Sequence, residues 1–96
     1  MKVRYTAQAF ADREDIFAYL DERNPAAARA VKQYIEHSVS RIACFPMSAP
    51  LTDIGDVREL SLVRYPYKIY YQVAEDEIWI IHIRDARRRP FGDPEE

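Results

Sequence analysis

The sequence predicts an α+β two-layer sandwich: an N-terminal strand, a helical hairpin, then a three-stranded antiparallel meander. Three observations carry that expectation. Ala28, Val31, Ile35, Val39 and Ile42 step by three and four, the spacing of one helix face. Asn24-Pro25 pairs a good helix cap with a residue preorganised for the first helical position, so two helices should abut there. After Gly55, three segments carry strand patterns and no further helical period.

Lys2 to Tyr5 alternates, placing Val3 and Tyr5 on one side of a short strand. Thr6 is a plausible N-cap for a first helix, in which Ala9, Ile16 and Leu20 recur at helical spacing beside Phe17 and Tyr19. Asp12, Glu14, Asp15 and Glu22 are expected on its polar face, with acidic residues near its start where the helix dipole favours them. The second helix turns Arg29, Lys32, Glu36 and Arg41 outward, and Phe45-Pro46 ends it. Met47 to Asp56, with Pro50 and Gly55, is a loop. Val57 to Val63 alternates with Arg58, Leu60 and Leu62 on one face. Tyr67 to Val73 sets Tyr67, Ile69, Tyr71 and Val73 against Lys68, Tyr70 and Gln72. Ile78 to Ile83 is almost continuously apolar, and Glu75-Asp76-Glu77 supplies the hairpin turn before it. Residues 1–91 form a single domain, and the acidic tail Gly92 to Glu96 is expected to fray.

No apolar run approaches the roughly 20 residues that span a bilayer, and the first ten residues lack a secretory apolar core, which predicts a cytoplasmic protein. The net charge is −2 and the pI about 5.7. A protein that clamps structured RNA or duplex DNA over a wide surface is usually basic overall. The charge is uneven, however: Asp12, Glu14, Asp15, Asp21 and Glu22 crowd one early segment, and Arg84, Arg87, Arg88 and Arg89 a late one.

Sites with strong chemical signatures are scarce. Gly55 and Gly92 are the only glycines, which excludes a phosphate-cradling loop. Cys44 is the sole cysteine, so an intrachain disulfide is impossible, and at the end of an apolar stripe it is expected to be a buried structural thiol. His37 and His82 lack metal-ligand spacing. No metal or cofactor is expected. His37 should face solvent, and His82 is read as a satisfied strand histidine rather than a general base. The arginines Arg58, Arg64 and Arg84, with Arg87 to Arg89, lie on or just beyond strands, where guanidinium groups can converge and bind phosphate bidentately. Pairing with Glu59, Asp85 and the acidic first helix is the alternative for each. The cluster at the end of the last strand is assigned to a partner contact.

The last two strands are more apolar than a sheet with one wet face needs. Tyr70, Trp79 and Ile81, or else Ile78 and Ile80, fall on the face away from the helices. Either the tail or self-association covers them, or another protein does.

Asp21-Glu22-Arg23-Asn24-Pro25-Ala26-Ala27-Ala28 resembles the helix–helix junction of ParE-like toxins. So does Val57-Arg58-Glu59-Leu60 followed by Arg64-Tyr65-Pro66-Tyr67-Lys68-Ile69-Tyr70-Tyr71, and Ile83 to Pro90 looks like the family's last strand and basic exit. The likeness runs through nearly the whole chain, and its order and spacing are more specific than any one motif. It implies the RelE/ParE toxin superfamily of bacterial type II toxin–antitoxin systems, on the ParE-like side. The resemblance implies a small cognate antitoxin that wraps the toxin in a hetero-oligomeric complex and carries the DNA-binding region, so that DNA contact is indirect. For a ParE-like toxin it implies inhibition of DNA gyrase without catalytic residues, with Arg84, Arg87, Arg88, Arg89 and Trp79 as target contacts and Tyr70, Trp79 and Ile81 as antitoxin contacts. For a RelE-like toxin it implies ribosome-dependent mRNA cleavage, with Arg58, Arg64, Arg84 and Arg88 around the phosphate. A member that only binds antitoxin is the third possibility. The departures favour the gyrase reading. The loop MSAPLTDIGD lacks the lysines of the nucleases, and no tyrosine or histidine follows Arg89. The arginine expected in the middle strand falls at Val63, with Arg64 one residue off and so on the opposite face. The net charge of −2 also suits ribosome docking poorly.

Overall fold

A computed structural model of the protein describes residues 1–87. Arg88, Arg89 and the acidic tail expected to fray lie outside the described residues. The elements are β1 (Lys2–Tyr5), α1 (Ala7–Arg23), α2 (Pro25–Cys44), β2 (Val57–Ser61), β3 (Tyr67–Ala74) and β4 (Glu77–Asp85). The helical hairpin covers one face of the sheet, as the α+β sandwich requires.

Local chemistry sets the helix ends. Thr6 Oγ1 accepts from the Ala9 N–H at 3.1 Å and starts α1. Asn24 serves two helices. Its N–H donates to the Leu20 carbonyl at 2.6 Å, closing α1, while its side chain accepts from the Ala27 N–H at 3.1 Å, opening α2. Contrary to the dipole expectation, the first turn of α1 holds no acidic residue, because Asp12 comes a full turn too late.

In α2 the apolar ladder is buried as its spacing requires, while Arg29, Lys32, Glu36 and Arg41 face solvent. Cys44 is exposed, which corrects the expectation of a buried thiol. It lies about 200° round the helix from the buried Ile42, on the opposite side of the cylinder.

The strand order is β1-β4-β3-β2. β2, β3 and β4 form the antiparallel meander, but β1 joins parallel to β4, so the sheet is mixed. β2 stops at Ser61, earlier than its alternation suggests. The chain then bends, leaving Val63 93% exposed.

One irregularity organises the core. Tyr70 pairs with His82 but Tyr71 pairs with Ile80, so Ile81 is an extra residue in β4, a bulge. Strict alternation would put Ile80 and Ile83 on opposite faces; the bulge returns Ile83 to the helix side. Ile78, Ile80 and Ile83 are therefore all buried with Ile69, Tyr71 and Ile35. This explains the nearly continuous apolar run in β4.

Candidate functional site

The register assigns the arginines to faces. Arg58 lies opposite Tyr71, on the core side. Its guanidinium donates to the Ala49 carbonyl at 2.7 Å and the Met47 carbonyl at 3.3 Å, while the Tyr71 hydroxyl donates to the Pro46 carbonyl at 2.8 Å. Together they fasten the loop between α2 and β2. Burial pushes the Tyr71 hydroxyl above its ordinary pKa. Arg84 lies on the other face, opposite Lys68. Arg64 is exposed in the bend after β2 and belongs to no strand, so the one-residue parity argument does not apply to it. The arginines predicted to surround one phosphate are thus not brought together, and Arg88 lies outside the described residues.

The face away from the helices is largely satisfied by its own residues. Lys68 Nζ meets Glu59 at 2.9 Å, and that hydrogen bond raises the lysine pKa. Tyr70, on the same face, is 3% exposed, and its hydroxyl is pushed up first by burial and then by the charge of Glu59. Arg4 donates to Glu77 at 2.7 Å and holds its guanidinium 5.9 Å from the Trp79 ring centre. What reaches outward here is Trp79, half-buried, and a charged rim.

At one side of the sheet β1 covers β4 only along Glu77 to Ile80. Beyond that point α1 takes over the edge. Thr6 Oγ1 donates to the Ile81 carbonyl at 3.1 Å, and Asp12 accepts from the Ile83 N–H at 3.0 Å. The same Asp12 oxygen lies against His82 Nδ1, whose ring stacks on Tyr70 with centroids 6.1 Å apart. His82 is therefore a satisfied strand histidine. Asp12 is not part of a solvated face, because its carboxylate caps the strand edge. Beside this pair opens a groove of about 580 Å³ whose lining includes Asp15, Tyr19, Tyr67, Arg84 and Arg87. Arg87 forms a bidentate pair with Asp85, at 2.9 and 2.6 Å. No local pattern signals the Asp12–His82 pair, since its members are 70 residues apart.

At the opposite side, a groove of about 390 Å³ runs between α2 and β2, lined by Tyr34, Arg41, Ile42, Leu60, Leu62 and Val63. Residues 50–52 cover the start of the β2 edge: the Glu59 N–H donates to the Pro50 carbonyl at 3.0 Å and the Thr52 N–H to the Val57 carbonyl at 2.8 Å. Among the described residues no cluster of His, Cys, Asp and Glu could hold a metal ion, and no helix is long and apolar enough to cross a membrane.

This arrangement has known counterparts. A chain of the chromosomal ParDE toxin–antitoxin system from P. aeruginosa superposes with a TM-score of 0.77 at 26% identity, over 88% of this chain and 95% of that one. A chain of the intact E. coli RelBE toxin–antitoxin complex superposes with a TM-score of 0.63 at 14% identity, over 91% and 98%, a likeness of fold. The architecture is that of the RelE/ParE toxins. The model of the ParE toxin of the type II toxin–antitoxin system parDE matches residues 3–90. Putative toxin Y4kP of Sinorhizobium fredii is 33% identical over 75 residues, 78% of each chain. The protein belongs to the ParE toxin family, as a toxin component of a type II toxin–antitoxin system.

Proposed function

We propose that this toxin inhibits DNA gyrase without catalytic residues of its own, and that a cognate antitoxin holds it inactive. The separation of the arginines carries the reading. Arg58 is spent on loop carbonyls on the core side, Arg84 lies on the opposite face, and Arg64 stands in a bend. Transition-state stabilisation at a phosphate needs preorganised donors aimed at one point. Gyrase inhibition needs only a binding surface. The proposed target contacts are Trp79, Arg84 and Arg87, with Arg88 and Arg89 continuing the basic exit. Antitoxin-free protein should block supercoiling by purified gyrase, and full supercoiling at a large excess of toxin would reject the reading. In cells expressing the toxin alone, labelled thymidine incorporation should fall before amino-acid incorporation.

A second reading has one observation in its favour. Asp12 holds His82 by Nδ1 at a groove that Arg84 also lines, an arrangement that a general base for RNA cleavage would use. Asp12 also caps the Ile83 amide, which gives the pair a structural purpose and places this reading second. Primer extension on transcripts after induction separates the two. New cleavage ends that vanish with His82→Gln would establish the nuclease, and intact transcripts would remove it.

A further inference from the structure

We infer that the loop joining α2 to β2 docks the toxin onto the gyrase protein itself, through an apolar knuckle of Phe45, Met47, Leu51 and Ile54. The inference rests on the gyrase reading and adds a contact surface which that reading does not contain. The four side chains are between 40% and 61% exposed, although they share one loop. Single exposed apolar residues are ordinary, but four on one connection make a contact patch. The loop is also held in place. From the core side the Arg58 guanidinium donates to the carbonyls of Met47 and Ala49, and the buried Tyr71 hydroxyl donates to that of Pro46. Ser48 turns back on Phe45, and Thr52 on Val57. These bonds fasten the backbone and leave the apolar side chains outward. A surface ordered before contact loses little freedom on binding.

Charge chooses the occupant. Asp53 lies in the loop, and Glu75 and Asp76 lie in the β3–β4 turn at the same end of the sheet. All three are exposed and without an ion pair among the described residues. A second copy docked knuckle to knuckle would bring these carboxylates together across a twofold axis. A different protein with an apolar socket and a rim of lysine or arginine meets both features, and a protein that holds DNA presents such cations. Continuity points to the same partner. Val57 lies opposite Gln72, and Gln72 opposite Trp79, a proposed target contact. The Gln72 amide donates to Asp56 at the end of the loop. The knuckle and Trp79 thus adjoin across one strand, and one partner can cover both.

The test uses antitoxin-free toxin and purified gyrase, read as inhibition of supercoiling and as binding by calorimetry. Met47→Lys and Leu51→Lys change exposed side chains only, and the helix signal and urea midpoint check that both fold. Each should raise the toxin concentration for half-inhibition by roughly tenfold or more, and Leu51→Met should keep wild-type inhibition. Phe10→Lys, the same change at an exposed position of α1, should leave inhibition unaltered. Oxidation of the Met47 thioether by hydrogen peroxide, followed by mass spectrometry on the wild type, needs no variant, and gyrase should slow it severalfold. Undiminished inhibition by both folded lysine variants, with Met47 oxidised as fast in the complex as in free toxin, would overturn the inference and leave the gyrase reading standing. A wild-type toxin that neither binds nor inhibits gyrase would reject that reading, and the docking surface with it. Slower oxidation in concentrated toxin alone would assign the knuckle to a second copy. Shielding by the product of the neighbouring gene, and not by gyrase, would assign it to the antitoxin.

Discussion

Single side chains here often hold two structural elements at once. Asn24 closes one helix with its backbone N–H and opens the next with its side chain, so Asn24→Ala keeps the bond to Leu20 and removes the cap of α2. The expected loss is about 1–2 kcal/mol, read from the urea midpoint at unchanged slope. Asp12 joins α1 to the Ile83 amide and to His82. Asp12→Ala leaves an edge N–H and a half-buried imidazole without their acceptor and should cost about 2–3 kcal/mol, with Asp12→Asn intermediate because its amide oxygen still accepts. Arg58 is the instructive case for sequence reading. Its identity and its place in a strand were legible, but whether it meets a phosphate or a loop depends on where Met47 and Ala49 fold back, which no local pattern encodes. The same holds for Asp12 and His82, each placed correctly in its element yet recognisable as a pair only once β4 and α1 lie side by side.

At the level of elements, the helices were the most legible because their signals are local. A cap, a proline and a ladder of apolar residues fall within a few turns. The end of α2 was harder, since Cys44 continues the composition of the stripe but not its angle. The strands were legible as segments, and the faces of β3 followed from alternation. The bulge at Ile81 was not, because a continuous apolar run fits either parity. Its importance can be measured. Deleting Ile81 restores strict pairing and leaves His82 opposite Tyr70 and Ile83 on the core side, so the variant loses the bond from Thr6 to the Ile81 carbonyl and should be less stable yet still unfold cooperatively in a urea titration. The β3–β4 turn offers the opposite change. Glu75 adopts φ +58°, a left-handed conformation that costs a side-chain-bearing residue free energy. Glu75→Gly should therefore raise stability by about 0.5–1 kcal/mol, seen as a higher melting temperature.

For the whole molecule, burial of phenols predicts an alkaline limit. Tyr5, Tyr70 and Tyr71 are each raised above the ordinary tyrosine value, burial being the first cause in all three. A raised pKa means that the folded state holds the proton more tightly than the unfolded chain. The associated stability is complete below about pH 10 and is lost as the pH climbs through the folded values. Phenolate absorbance should rise in one cooperative step with the loss of helix signal, and separate titration of these tyrosines in a still-folded protein would contradict this. The pairing of β1 with β4 has a consequence in time rather than in energy. The first strand made waits for the last, because its hydrogen-bonding neighbour is the final strand of the sheet. During translation the helical hairpin emerges long before the surface it must bury against is complete. A nascent chain still short of β4 can have neither the Trp79 face nor the Asp12–His82 junction, so the surfaces proposed to meet the target are the last to form.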